Sequence, residues 1–191
     1  MPQQRIILDL NVKAPDIDTT DIYERHIRLS NYLGKKVFIG FFRHAGCPFC
    51  NLRVHALKKM HQTWQSKGLE MVFLFESPKA LLKSSTFHEG ISPIPLIADP
   101  KREYYERYGV EQSWKKSAYS HLTQFISTAI KAGMDKVPMH MMASGESFNT
   151  MPAEFLLDEQ HIIRRVHYAA TLNDRMSMEV IEEFLNIKNQ I

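Results

Sequence analysis

Cysteine is scarce in this chain, with two in 191 residues. Two thiols exclude a scaffold stapled by several disulfides, and they exclude a four-cysteine zinc site, because structural zinc takes four ligands and there is no second pair. Long apolar runs are missing as well. The opening Met1-Pro2-Gln3-Gln4-Arg5 is polar, and the first apolar run after it is far too short for a signal sequence or a membrane span. The expected compartment is therefore the cytoplasm, with no membrane partner. Charge of one sign is lacking too: 24 Lys and Arg face 21 Asp and Glu, leaving a net charge of +3 with the signs interleaved. That balance argues against a nucleic-acid partner, and basic pairs such as Lys115-Lys116 and Arg164-Arg165 read as solvated faces. No repeat, linker or low-complexity tract interrupts the chain, so residues 1–191 are expected to form one domain with a substantial core.

What is present concentrates in one stretch, Phe38-Ile39-Gly40-Phe41-Phe42-Arg43-His44-Ala45-Gly46-Cys47-Pro48-Phe49-Cys50-Asn51. Val37–Phe42 is continuous enough to be a central strand buried on both faces. From Pro48 to about Ser66, Leu52, Ala56, Leu57, Met60 and Trp64 recur at helical intervals, and Lys67-Gly68 ends the helix. Both thiols thus sit where a strand turns into a helix. The first N–H groups of a helix have no partners within it and carry the positive end of its dipole. There a Cys-x-x-Cys thiol, ordinarily of pKa about 8.5, can fall to about 3.5–7.5. Cys47 at the cap, expected to meet those N–H groups and the solvent, is assigned the attacking role. Pro48 sets the first helical turn, and Cys50, one turn in and facing inward, is the resolving thiol.

Two plainer readings compete with this one. Inert core thiols would explain the composition, but a strand-to-helix turn is an unusual place for them. Half a zinc site completed by His44 and His55 would explain the spacing, but those histidines lie in a short turn and along the helix. Neither a metal nor a cofactor is expected.

The remaining chain alternates strands with helices. Residues 18–21 read as a turn and Ile27–Ser30 as a strand, while Met71–Phe75 is a second buried strand, parallel to the first through a right-handed crossover. Residues 78–88 look helical, Ile94–Asp99 is a strand placed at an edge by Pro95, and Glu103–Tyr108 is a short helix stopped by Gly109. Residues 112–151 read as an insertion of helix and loop. Its Met139-His140-Met141-Met142 run suits an adaptable apolar surface better than a soft-metal site. Ala153–Asp158 and Ile162–Tyr168 form a hairpin, and Met176–Ile187 a closing helix. The class is α/β with a mixed central sheet flanked by helices.

In this layout the chain resembles the thioredoxin fold, and within it the peroxiredoxin-like AhpC/TSA or redoxin family. The resemblance is carried by Ala14-Pro15-Asp16 with Leu29–Lys35 as an N-terminal extension, by Phe41-Phe42-Arg43 before Cys47-Pro48-Phe49-Cys50, by Met151-Pro152-Ala153-Glu154-Phe155, and by Ile163–Leu185. It implies that Pro152 is a cis-proline facing the cysteines. The backbone of Met151 would then be presented to substrate and, with Pro48, Phe49 and Arg43, would shape a groove around Cys47. Peroxiredoxins place a proline, a threonine or serine four residues on, and the peroxide-reactive cysteine three beyond. Arg43, Cys47 and Cys50 stand in those places here, and Pro152 stands where their active-site arginine would be. The departures favour a thiol–disulfide oxidoreductase acting on protein or small-molecule disulfides with a thiol reductant. The alternatives are a thiol-dependent antioxidant peroxidase acting on peroxides and a redox-sensing or zinc-binding interaction module.

Overall fold

The computed structural model describes residues 7–84, 90–120 and 147–187. It begins with an antiparallel ribbon of β1 (Asp18–Thr20) and β2 (His26–Arg28). The segment expected to turn at residues 18–21 is thus strand as far as Thr20. Asp18 explains it, since its carboxylate meets His26 Nε2 at 2.5 Å and accepts from Arg28 Nε at 2.9 Å across the ribbon. The turn itself is made by buried Asp21, which accepts the N–H groups of Tyr23 and Arg25, both at 2.9 Å. A 3-10 turn, Leu29–Tyr32, follows β2.

Five further strands, β3 (Lys36–Phe41), β4 (Leu69–Phe75), β5 (Leu96–Ala98), β6 (Ala153–Leu157) and β7 (Ile163–Tyr168), form one sheet in the order β5-β4-β3-β6-β7. Strands β3, β4 and β5 run parallel, and β6 runs antiparallel to both β3 and β7, so the sheet is mixed as expected. β5 lies at its edge, where the loss of a ladder donor at Pro95 costs nothing. The helices are α1 (Pro48–Gln65), α2 (Lys79–Ser84), α3 (Glu103–Arg107) and α4 (Met178–Asn186). The helix expected over 78–88 is seen as far as Ser84; residues 85–89 lie outside the described residues.

Alternation along the central strands builds two cores. Val37, Ile39 and Phe41 of β3, Val72 and Leu74 of β4, and Phe155 and Leu157 of β6 pack on one face with Ile17, Ile27, Tyr105 and Tyr108. Phe38, Phe42, Met71, Phe73 and Leu156 pack on the other with Val54, Leu57 and Trp64 of α1 and Ile181, Phe184 and Leu185 of α4. Burying each such side chain contributes about 1.5–3 kcal/mol. Gly40 is bare for a packing reason: a Cβ there would stand 2.7 Å from the Phe42 ring.

The two ends of the expected insertion meet. Gln112 bridges to Thr150, Ser113 N–H donates to Asn149 C=O at 2.6 Å, and Met151 N–H donates to Glu111 C=O at 2.8 Å. Residues 114–120 are helical. Residues 121–146, with Leu122, Phe125, Ile126, Ile130 and the Met139–Met142 run, lie outside the described residues. Among the described residues no helix is long and apolar enough to cross a membrane.

Candidate active site

β3 runs up the middle of the sheet and delivers its carboxyl end beside β4. Phe42 N–H donates to Leu74 C=O at 2.9 Å and Glu76 N–H to Arg43 C=O at 3.1 Å, so the chain stays paired past the strand itself. The turn that follows is held from two sides: Ala45 N–H donates to Ser77 Oγ at 2.8 Å, and Asn51 Nδ2 donates back to Ala45 C=O at 2.9 Å. Cys47 is the N-cap of α1, in extended conformation, and its carbonyl accepts the Asn51 N–H at 3.0 Å. Pro48 takes the first helical position, where its missing N–H is no loss. Cys50 then lies one turn into α1, as the spacing requires.

The two sulfurs differ in surroundings. Arg43 Nη1 lies 3.6 Å from Cys47 Sγ, and the Arg43 N–H donates to Cys50 Sγ at 3.4 Å. Burial alone would push the Cys47 thiol up. The hydrogen bond from Cys50 S–H, the Arg43 charge, the Cys50 backbone N–H and the Arg175 charge together outweigh it and bring Cys47 down to about 6. Burial pushes Cys50 well above the ordinary thiol range. Holding its proton against the Cys47 thiolate pushes it further, while Arg175 and Arg43 pull it down. One acidic thiol and one that keeps its proton therefore share a site, with both cysteines reduced.

Cys47 does not face solvent as expected; it is 0% exposed, and so is Cys50. The returning segment 147–151 explains part of the cover. Arg43 Nη2 donates to the Phe148 carbonyl. Met151 is buried in the apolar cluster that contains both thiols, Phe42 and Phe49. Pro152 is also corrected. Among the described residues the cis bond is Ser92–Pro93, and Met151–Pro152 is trans. The chain runs extended here into β6, with Met151 N–H bound to Glu111 and the Pro152 carbonyl accepting Ala169 N–H at 3.0 Å. His44 sits with its ring 6.2 Å from that of Phe148, and no group of three or more His, Cys, Asp or Glu among the described residues is arranged to hold a metal ion.

The structure adds charged groups that sequence reasoning missed. Glu154 of β6 faces α1 and is 1% exposed, gripped by Arg53 through Nε and Nη2, both at 2.8 Å, and by Met176 N–H at 3.0 Å. Arg175 Nε stands 3.9 Å from the same carboxylate, and its Nη2 reaches Cys50 Sγ at 4.0 Å. On the far side of Arg43, buried Glu76 accepts from Thr150 Oγ1 at 2.6 Å, from Ser147 N–H at 3.2 Å and from Arg102 at 3.1 Å. Burial raises the Glu76 carboxyl, which those bonds and the Arg43 charge oppose. Glu154 left a signal in the sequence, as a lone acid inside an apolar strand; Arg175, in a polar loop, left none.

Similarity to known proteins agrees with this arrangement. The family model of the AhpC/TSA family matches residues 10–166. A peroxiredoxin of Thermoplasma volcanium is 33% identical over 108 residues, 53% of this chain and 52% of that protein. The thiol-disulfide oxidoreductase ResA of Geobacillus thermodenitrificans is 26% identical over 98 residues, 51% of this chain and 55% of that protein. The matched stretch thus spans about half the length of these two relatives. A thiol peroxidase from Chromobacterium violaceum superposes with a TM-score of 0.63 at 15% identity, covering 94% of this chain and 87% of that one, which shows a shared fold. From residue 10, ahead of the small ribbon, to residue 166 inside β7, the family pattern takes in the thiol turn and the sheet that carries it, and the chain belongs to the AhpC/TSA family.

Proposed function

We propose that the protein is a thiol–disulfide oxidoreductase working through Cys47 and Cys50. The Cys47 thiolate attacks one sulfur of a substrate disulfide, the substrate S–S bond breaks, and the departing thiolate takes up a proton. Cys50 then gives up its own proton and attacks Cys47 Sγ, releasing the second substrate thiol and leaving a Cys47–Cys50 disulfide. Two electrons pass from the protein to the substrate, and a thiol reductant returns them. The observation that carries this reading is the placement of the sulfurs, with Cys47 capping α1 at 3.6 Å from Arg43 Nη1 and Cys50 one turn on; these surroundings lower Cys47 and raise Cys50. Met151, Pro152, Pro48, Phe49 and Arg43 are proposed to shape the substrate groove around the dithiol, within a single domain into which residues 112–151 are inserted; the burial of Met151 and Phe49 in the cluster that holds both thiols supports this.

The two guanidiniums beside the sulfurs, Arg43 and Arg175, favour a second reading as a peroxidase. Positive donors there would steady the charge on an oxygen leaving group as Cys47 becomes a sulfenic acid, which Cys50 would close with loss of water. Exposure of the parent protein and of Cys50→Ser to disulfide substrates decides the first reading. Cys50→Ser is expected to retain mixed disulfides through Cys47, and Cys47→Ser to retain none; trapping through Cys50 alone would overturn the assignment. Mixing the reduced protein with hydrogen peroxide tests the second, which fails if oxidation is as slow as that of a simple acidic thiol.

A further inference from the structure

We propose that Arg175 is a catalytic residue of the second, resolving step: its guanidinium, held beside Cys50 by the buried Glu154 carboxylate, stabilises the Cys50 thiolate that closes the disulfide. The inference rests on the dithiol-exchange reading above and goes beyond it by giving each sulfur its own cation. Arg43 Nη1 is 3.6 Å from Cys47 Sγ, whereas Arg175 Nη2 is 4.0 Å from Cys50 Sγ. The two guanidiniums come from distant parts of the chain, one from the turn after β3 and the other from the loop before α4.

Charge counting supports the division. Glu154 is one buried negative charge facing two cations, Arg53 and Arg175. Arg53 occupies both carboxylate oxygens at 2.8 Å, and the Met176 N–H takes a further bond at 3.0 Å. Arg175 is left at 3.9 Å, anchored by an Nη1 bond to its neighbour's Asp174 carbonyl at 2.7 Å. Its side chain is only 8% exposed, so solvent does little to screen it. The trio therefore carries one surplus positive charge, directed at Cys50.

In the reduced protein that charge is the least of the effects that lower Cys47, and it leaves Cys50 protonated, because Cys50 keeps its proton against the Cys47 thiolate. Attack on substrate changes this. Once Cys47 Sγ is bonded to the substrate sulfur it bears no charge, and both effects by which Cys47 raised Cys50 disappear. Burial then opposes ionisation of Cys50 and the two guanidiniums favour it. The Cys50 proton is lost, Cys50 Sγ bonds to Cys47 Sγ, the bond from Cys47 to the substrate sulfur breaks, and the leaving thiolate takes a proton. Electrons and protons balance without a further reactant.

Dithiodipyridine, a neutral disulfide, separates the two steps, since attack by Cys47 releases one thiopyridone and closure by Cys50 releases a second. In Arg175→Gln the first phase is expected to slow by less than the second, since Arg175 is the least of the effects that lower Cys47, and the second to slow by about three- to thirtyfold. That range is what loss of a cation at this distance does to the thiolate fraction, offset in part by the greater nucleophilicity of a more basic sulfur. The pH midpoint of the second phase should move up by about one unit or more in Arg175→Gln and return towards the parent in Arg175→Lys, which keeps the charge. A second phase unchanged in rate and midpoint overturns the assignment, as does equal slowing of both phases, which marks Arg175 as a prop for the fold. Absence of the first phase in the parent protein overturns the exchange reading itself, and the assignment with it.

Discussion

The two faces of the central sheet are built from the same strands and do different work. On the face covered by Tyr105 and Tyr108, the contacts are apolar and the tyrosine hydroxyls end on backbone carbonyls: Tyr105 donates to Phe42 at 2.5 Å and Leu74 at 3.0 Å, and Tyr108 to Pro15 at 2.6 Å. On the α1 face the core is interrupted by a buried carboxylate with its guanidiniums and by two thiols. On the first face burial keeps both tyrosine hydroxyls protonated, pushing them well above the ordinary phenol range. The second holds charges and thiols that respond to one another at close range in a poorly screened interior, so that a proton or an electron there changes the energetics.

Substitutions can break that contrast, and the largest effect is expected on the quiet face. Phe155→Ala should cost about 3–5 kcal/mol of stability by chemical denaturation, because Phe155 is fully buried among Phe41, Tyr108 and Tyr168. The thiolate absorbance of Cys47 should still titrate at about 6. A displaced midpoint would mean that the faces are coupled.

Glu154→Gln on the active face should cost about 3 kcal/mol, since it leaves Arg53 buried without its counter-charge. It should also lower the Cys47 midpoint, because a negative charge near the dithiol is gone. Equal stability with an unmoved midpoint would remove the buried pair from the description of the site.

The smallest effect on folding is expected from Arg43→Gln, which should raise the Cys47 midpoint by about 1–2 units through loss of the cation at 3.6 Å. Its consequence for stability has a definite sign. Cys47 is lower when folded than unfolded, so its contribution is absent below about pH 6 and grows as pH rises towards the ordinary thiol value of about 8.5. Above that value ionisation of Cys50 in the unfolded chain works the other way, since Cys50 is raised in the fold. The difference in stability between the parent and Cys47→Ser should follow that course between pH 6 and 8.5, and Arg43→Gln should flatten it. A difference that is constant with pH would contradict the depressed thiol.

Much of the frame was legible from spacing. The run Val37–Phe42, the helical repeat from Pro48 and the proline before Leu96 placed the central strand, the thiol helix and the sheet edge, because burial on both faces, amphipathic periodicity and a missing ladder donor each leave a local trace. The turn expected at residues 18–21 failed because its polar residues are used across a ribbon, with Asp18 serving His26 and Arg28. A cis bond at Pro152 and an open Cys47 failed for a related reason. Both depend on what returns to cover the turn, and the segment at 147–151 comes from about a hundred residues away.

By itself the sequence determined that two thiols sit one helical turn apart at the carboxyl end of a central strand, since strand, turn and helix are set by neighbours a few residues away. Only the tertiary structure decided which cations those sulfurs meet, how deeply they are buried and which of them holds the proton. Arg43, Arg175 and Glu154 reach the site from three separated segments, and electrostatic effects in a buried site depend on distance through space, which no local pattern encodes.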